Sequence, residues 1–183
     1  MLLSLLLWAC DKPILDTSKP EEVIESPIHW NECSFNGGDH ICDLTLKTAD
    51  GSIDNLYSHY GEVIVIDVSA MWCGPCQEAA WNSNSIKVTS GGVNWITVLV
   101  ENLEGDVPTE ENGQFWGDYF GIWHNEIWLG SDANRDIDGL EGFANTGWPY
   151  FLILDKDLRI RIVQEGWNKD KILHEIAELK SEL

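Results

Sequence analysis

At 183 residues, the chain is long enough for one domain with a sizeable core and a short leader. Its 44% hydrophobic and 23% charged residues are typical of a soluble globular protein. Acidic residues number 31 and basic residues 11, which gives a formal net charge of −20 without any cluster of Lys or Arg. Because nucleic acids are bound through such clusters, the composition argues against them as partners.

The chain begins with an apolar run that ends at Cys10. This run is too short to cross a bilayer as a helix, which takes about 20 residues, so residues 1–9 are predicted to be a signal segment. Leu7-Trp8-Ala9-Cys10 resembles a bacterial lipobox, in which the cysteine is lipidated and becomes the mature N-terminus. Trp8 is bulky for that motif and no basic residue precedes the run. A signal cleaved without lipidation and a frayed apolar terminus are the alternatives.

Residues 10–28 are predicted to be a flexible tether, because they combine three prolines with many polar residues. The folded domain is then expected to span residues 29–183. Lipidated at Cys10, the protein would be held at a membrane and face the periplasm or the exterior, a compartment that permits disulfides.

Cys33 and Cys42 enclose a pair of glycines that supply a turn. This spacing predicts a structural disulfide that closes a ten-residue loop. A metal site with His29 and His40 is one alternative, although the spacing fits no common zinc pattern. Free or alternately paired thiols are another.

The hydrophobic patterns then predict strands and helices in alternation. In chain order they are a hairpin strand at 43–51, a buried strand at 62–68, a helix at 74–88, a buried strand at 93–100, a helix at 114–123, a strand pair at 150–154 and 158–163, and a final helix that follows Asn168. This order is that of an α/β layer architecture.

Trp72-Cys73-Gly74-Pro75-Cys76 lies at the junction of the first buried strand and the first helix. Cys73 immediately precedes the helix, where unpaired N–H groups and the positive end of the helix dipole stabilise a thiolate. Cys76 is one turn further on, within reach to resolve a mixed disulfide, and Pro75 is tolerated in the first turn. The motif predicts thiol–disulfide exchange. A structural disulfide or half of a zinc site is the alternative.

The segment from Asp67 to Cys76 resembles the active site of thioredoxin, and Thr146-Gly-Trp-Pro-Tyr-Phe-Leu-Ile-Leu-Asp155 resembles the loop of the thioredoxin cis-proline. Residues 43–183 are most similar to membrane-anchored reductases of the TlpA/ResA kind. The resemblance implies a thioredoxin fold, in which a central mixed sheet is flanked by helices on both faces and carries an N-terminal hairpin.

The same resemblance implies roles for two further residues. Asp67 would be the buried proton acceptor for Cys76, and Pro149 the cis-proline beside the disulfide. Trp148 stands where these proteins usually carry Thr, Val or Ile, so an altered substrate groove is expected. For Asp67, a buried carboxylate with only a structural role is the alternative.

Asn134, Asp136 and Asp138 resemble the start of a calcium loop. The twelfth position of that loop is Asn145 rather than Glu, so an acidic surface turn is the alternative. No other metal site is predicted.

The sequence therefore predicts a protein-disulfide reductase that needs no organic cofactor. Its expected partners are protein thiols and disulfides, together with a membrane-bound or soluble thiol that supplies electrons. Reduction is favoured over oxidation because Gly74-Pro75 is the dipeptide of thioredoxin itself. A copper chaperone of the same fold is a second possibility, although such chaperones use Cys-x-x-x-Cys with a distant histidine. A non-enzymatic redox sensor is a third.

Overall fold

A computed structural model of the chain describes residues 28–130 and 147–182. Cys10 and the calcium-loop candidates Asn134, Asp136 and Asp138 lie outside these residues. The strands are β1 (Thr45–Thr48), β2 (Ile53–Asn55), β3 (Ile64–Ala70), β4 (Asn94–Glu101), β5 (Ile127–Leu129), β6 (Tyr150–Leu154) and β7 (Ile160–Glu165). The α-helices are α1 (Gly74–Thr89), α2 (Glu110–Phe120) and α3 (Lys169–Ser181), and short 3-10 helices form at Leu56–His59 and His124–Glu126.

The strands form one mixed sheet in the order β2-β1-β5-β4-β3-β6-β7. The central strands β3, β4 and β5 are parallel, whereas β6 runs antiparallel to β3 and β7 antiparallel to β6. At the far edge, β1 and β2 form an antiparallel hairpin that joins the sheet through β5. This is the predicted central mixed sheet with an N-terminal hairpin.

The central strand β3 is buried on both faces, as its continuous apolar sequence predicted. Its side chains alternate between two cores. Ile64 and Ile66 pack beneath residues 28–44 and 56–60, while Val65 packs beneath α1 and α3. Helices were expected on both faces of the sheet. Among the described residues, all three α-helices lie on the second face, and the first is covered by irregular chain and the 3-10 helix at Leu56–His59.

The helix boundaries follow from their caps. The side chain of Asn168 caps α3, as predicted. α2 begins at Glu110, four residues before its predicted start, because Thr109 and Asn112 form a reciprocal capping box. α2 also lies unusually close to its neighbours. A Cβ atom at Gly113 would lie 2.6 Å from the Cβ of Ala49, so only glycine permits this packing.

A disulfide joins Cys33 and Cys42, whose Cα atoms are 4.8 Å apart. The enclosed loop is bound to the turn between β6 and β7, where the N–H of Ile160 donates to the carbonyl of Asp39 (2.9 Å). Cys33 is exposed and Cys42 half-buried. None of the described helices is both long and apolar enough to span a membrane.

Candidate active site

The centre of the site is the N-terminus of α1. Cys73 is the N-cap residue, in an extended conformation, and its Sγ accepts a hydrogen bond from the backbone N–H of Cys76 (3.2 Å). A disulfide joins Cys73 to Cys76, with their Cα atoms 5.2 Å apart. The first-turn N–H groups and the helix dipole favour negative charge on the Cys73 sulfur, which lowers the free energy of its thiolate.

The two cysteines differ in their access to solvent. Cys73 is 5% exposed and Cys76 is not exposed at all. A Cβ atom added at Gly74 would have no neighbour within 4 Å, so no other part of the described protein covers this position. The disulfide is therefore open to solvent on the side of Cys73 and Gly74.

The dithiol rests on an apolar cluster. Its buried members beside the cysteines include Met71 from the turn before α1, Leu99 from β4, and Trp116 and Phe120 from α2. Trp148 packs against the rim of the same cluster. These side chains exclude water from the inner side of the disulfide, so Cys76 lies in a medium of low polarity.

Asp67 is a completely buried carboxyl group in the middle of β3. Its Oδ1 accepts a hydrogen bond from the Ser69 hydroxyl (2.6 Å), and its Oδ2 has no hydrogen-bond partner among the described residues. Burial raises the pKa of Asp67 to about 7, with smaller opposing effects from Ser69 and the Trp95 indole. A group with this pKa exchanges a proton readily near neutral pH.

Pro149 lies at the same end of the strands as the dithiol. The register of β3 and β6 pairs Val68 with Tyr150, so Pro149 is placed beside the carboxyl end of β3, from which the Cys73 turn emerges. The Trp148–Pro149 peptide bond is cis. The N–H of Gly166 donates to the Pro149 carbonyl (2.8 Å), which fixes this loop to the end of β7.

Trp72 and Glu101 form a contact that was not predicted from the sequence. Trp72 is 50% exposed beside Cys73, and its indole N–H donates to Glu101 Oε2 (2.6 Å). Glu101 ends β4, and the carboxyl ends of adjacent parallel strands meet at one edge of a sheet. That rule is the signal in the sequence that identifies Glu101 as a neighbour of the motif.

The sequence-predicted residues thus divide into two groups. The motif of residues 72–76, Trp148 and Pro149 meet at the carboxyl end of β3, and Asp67 lies within β3, three residues before that end. Cys33 and Cys42 lie near the β6–β7 turn, at the opposite end of the strands. Within residues 28–130 and 147–182, no three His, Cys, Asp or Glu side chains are arranged to hold a metal ion.

Comparison with known proteins identifies the fold. No protein-family model and no curated protein matches the sequence. Among solved structures, the thioredoxin domain of a thiol-disulfide oxidoreductase from Bacteroides vulgatus has a TM-score of 0.63 and 17% sequence identity, covering 79% of this chain and 98% of that one. A thiol:disulfide interchange protein of the thioredoxin family from Chlorobium tepidum has a TM-score of 0.62 and 16% identity, covering 82% and 98%.

A third similar structure is the exposed lipoprotein thioredoxin of Streptococcus pneumoniae, with a TM-score of 0.54 and 21% identity. The match covers 75% of this chain and 99% of that one. These likenesses confirm the predicted thioredoxin fold.

Proposed function

We propose that this protein is a thiol–disulfide oxidoreductase that reduces protein disulfides on the extracytoplasmic side of a membrane. The observation that carries the proposal is the asymmetry of the two cysteines. Cys73 Sγ lies at the N-terminus of α1 and accepts a hydrogen bond from a backbone N–H, while Cys76 is fully buried behind it. One sulfur is thereby suited to attack a substrate and the other to resolve the product.

The reaction proceeds in two exchanges. The Cys73 thiolate attacks a substrate disulfide, forming a mixed disulfide and releasing the first substrate sulfur as a thiolate. The Cys76 thiol then loses its proton and attacks Cys73 Sγ, which releases the second substrate sulfur and closes the Cys73–Cys76 disulfide. Two electrons pass from the protein dithiol to the substrate. A thiol donor must afterwards reduce the protein again.

Asp67 accepts the proton that Cys76 loses. The proposal is supported by its position on β3, six residues before Cys73, and by complete burial, which raises its pKa to about 7. A carboxyl group with an ordinary pKa near 4 would be a much weaker base for a thiol.

The loop at Pro149 docks the substrate backbone beside Cys73. Trp148, half-buried against the cluster beneath the dithiol, forms one wall of the groove and selects the substrates that enter it. Trp72 and Gly74 line the approach to the sulfur, and Pro75 holds the first turn of α1 in place.

The protein is anchored through a lipid on Cys10, with residues 10–28 as the tether and residues 29–183 as the domain. The lipobox-like sequence supports this anchoring, and a similar solved structure is described as an exposed lipoprotein. Mass spectrometry of the mature N-terminus is expected to find an acylated Cys10. Cleavage at another residue without an acyl group would contradict the anchoring while leaving the catalytic proposal intact.

The catalytic proposal is tested with the reduced protein freed of reductant. It is expected to reduce the disulfides of insulin stoichiometrically, with loss of the two thiols of Cys73 and Cys76. Equilibration with glutathione or dithiothreitol is expected to give a potential closer to the about −270 mV of thioredoxin than to the about −120 mV of a strong oxidant. A reduced protein that keeps both thiols in the presence of excess insulin would overturn the proposal.

A further inference from the structure

Three aromatic side chains form a continuous ladder on the outer surface of α1 and α2. The members of this aromatic ladder are Trp81, Phe115 and Tyr119, which are 58%, 56% and 57% exposed. Phe115 stacks on Tyr119 with ring centroids 6.0 Å apart, and Tyr119 lies 5.4 Å from Trp81. Contiguous exposed aromatic surface of this kind is typical of an interaction site.

The aromatic ladder is joined to the dithiol by packing. Phe120 contacts Trp81 and Tyr119, with ring centroids 5.0 and 4.9 Å away. Phe120 also belongs to the buried cluster that contains Cys73 and Cys76. The aromatic ladder therefore packs, through Phe120, on the outside of the same apolar cluster that supports the disulfide.

The surroundings of the ladder are acidic. α1 and residues 101–120 together contain seven Asp and Glu residues and a single basic residue, Lys87, which pairs with Glu126. Two lysines from other elements approach these helices, and both are engaged: Lys47 pairs with Glu110, and Lys169 donates to the side chain of Asn82. Glu78 precedes Trp81 by three residues on α1, and Glu111 precedes Phe115 by four on α2, so each carboxylate lies one turn from a ladder ring. Carboxylates next to exposed aromatic faces form the setting in which a guanidinium or ammonium group both stacks and pairs.

The spacing between the ladder and the reactive sulfur is that of a short peptide. Trp81 follows Cys73 by eight residues, which corresponds to about 12 Å along the axis of α1. An extended polypeptide covers this distance in about four residues. A side chain four residues from a substrate cysteine at Cys73 therefore reaches the ladder.

We infer that the aromatic ladder is the docking surface for the protein's substrates, which are extended polypeptides with Arg or Lys beside apolar residues about four positions from the attacked cysteine. The inference rests on the proposed oxidoreductase function and names its substrate class. An anionic membrane surface is disfavoured as the occupant because the rim of the ladder is acidic. A second copy of the chain is disfavoured because each copy carries a formal net charge of −20.

The test compares three disulfide probes with the reduced full chain. The first is a peptide disulfide with Arg-Leu four residues from its cysteine, the second the same peptide with Glu in place of Arg, and the third bis(2-hydroxyethyl) disulfide. The Arg peptide is expected to react about tenfold faster than the Glu peptide, a preference that falls as salt is added. The double variant W81A/Y119A is expected to reduce the preference to about twofold or less without changing the rate with bis(2-hydroxyethyl) disulfide.

Matched variants separate docking from a general loss of apolar surface. Trp123→Ala removes a tryptophan that is 73% exposed but outside the ladder, and Trp81→Phe keeps an aromatic ring; both are expected to retain the wild-type preference. The double variant E78Q/E111Q is expected to lower the preference for the Arg peptide about threefold.

Several outcomes overturn the inference. One is an unchanged peptide preference in W81A/Y119A, and another is an equal loss in Trp123→Ala. A third is a W81A/Y119A variant that keeps the peptide preference but loses a binding to phosphatidylcholine vesicles, or a self-association, that the wild type shows. The ladder would then bind a membrane or a second copy of the chain. Failure of the wild type to react with bis(2-hydroxyethyl) disulfide would instead overturn the proposed function, and with it the docking inference.

Discussion

The two disulfides of the described domain lie in opposite surroundings. Cys73–Cys76 is at the N-terminus of a helix, at the carboxyl end of β3, with one sulfur barely exposed and the other completely buried. Cys33–Cys42 is in a surface loop at the opposite end of the strands, where it is bound to the turn between β6 and β7. Cys33 is exposed. Each disulfide joins cysteines that are close in sequence.

We expect the surroundings of each disulfide, rather than its exposure alone, to determine its reactivity. The more exposed bridge, Cys33–Cys42, has neither a helix N-terminus nor a buried base beside it among the described residues, so it is suited to closing a loop. The less exposed bridge, Cys73–Cys76, has a helix N–H donor for the Cys73 sulfur, and Asp67 is buried in the preceding strand.

The largest expected difference is in catalysis. Cys73→Ser is expected to reduce the rate of insulin reduction by at least about 10³-fold, because a hydroxyl group at this position cannot act as the nucleophile. The matched double variant C33S/C42S is expected to keep a rate within about twofold of the wild type. A comparable loss of activity in C33S/C42S, with its fold intact, would make the second disulfide a redox centre and remove the contrast.

A second difference is in the capture of substrates. Cys76→Ser leaves Cys73 able to attack but removes the resolving sulfur, so mixed disulfides with partner proteins are expected to accumulate in cells. Non-reducing electrophoresis followed by mass spectrometry measures them. They are expected to disappear in the double variant C73S/C76S, and C33S/C42S should trap none.

A third difference is in stability. C33S/C42S is expected to lower the free energy of unfolding by about 2–3 kcal/mol, since the disulfide closes a ten-residue loop in the unfolded chain. Urea titrations of wild type and variant, both with Cys73 and Cys76 oxidised, measure this loss. If stability is unchanged, the loop is held by its hydrogen bonds to the β6–β7 turn rather than by the disulfide.

The smallest expected loss of activity among the catalytic variants is at the buried acid. Asp67→Asn is expected to slow turnover about tenfold at pH 8, where Asp67 is ionised and can accept a proton. The deficit should shrink toward pH 5.5, because the wild-type carboxyl group is then protonated as well. Asp39→Asn, which changes an exposed carboxylate in the Cys33–Cys42 loop, serves as the control and is expected to leave the pH profile unchanged.

Unfolding experiments distinguish this role from a structural one. The pKa of Asp67 is about 7 in the folded protein and near 3.8 in the unfolded chain, so the folded state binds the extra proton. Stability is therefore lost as the pH rises from about 4 to 7, by up to about 4 kcal/mol. Asp67→Asn is expected to remove this loss and to be more stable than the wild type at pH 8 while less active. A variant that is both less stable and less active would point to a structural carboxylate.

Local sequence patterns were sufficient for much of the fold. The apolar run of β3, the position of α1 after Cys73 and the Asn168 cap of α3 were all predicted from neighbouring residues. The start of α2 was predicted four residues late because its capping box uses Asn112 in place of the commoner Glu or Gln.

The candidate site was predictable only in part. The motif of residues 72–76 can be recognised from its own residues, whereas Asp67 and Pro149 were selected by resemblance to thioredoxin rather than by any local signal. Contacts between distant residues were missed, among them the hydrogen bond of Trp72 to Glu101 and the aromatic ladder, whose rings come from two helices. The sequence of one helix does not specify which of its side chains stay exposed when a second helix packs beside it.

Local sequence is sufficient to place two cysteines, one helical turn apart, where a buried strand is followed by a helix, because spacing and helix polarity are local properties. Three features follow from tertiary packing alone: the complete burial of Cys76, the desolvation that raises the pKa of Asp67 to about 7, and the exposure of the aromatic ladder on α1 and α2. Burial depends on every element packed around a residue, so it is decided only when strands and helices distant in sequence come together.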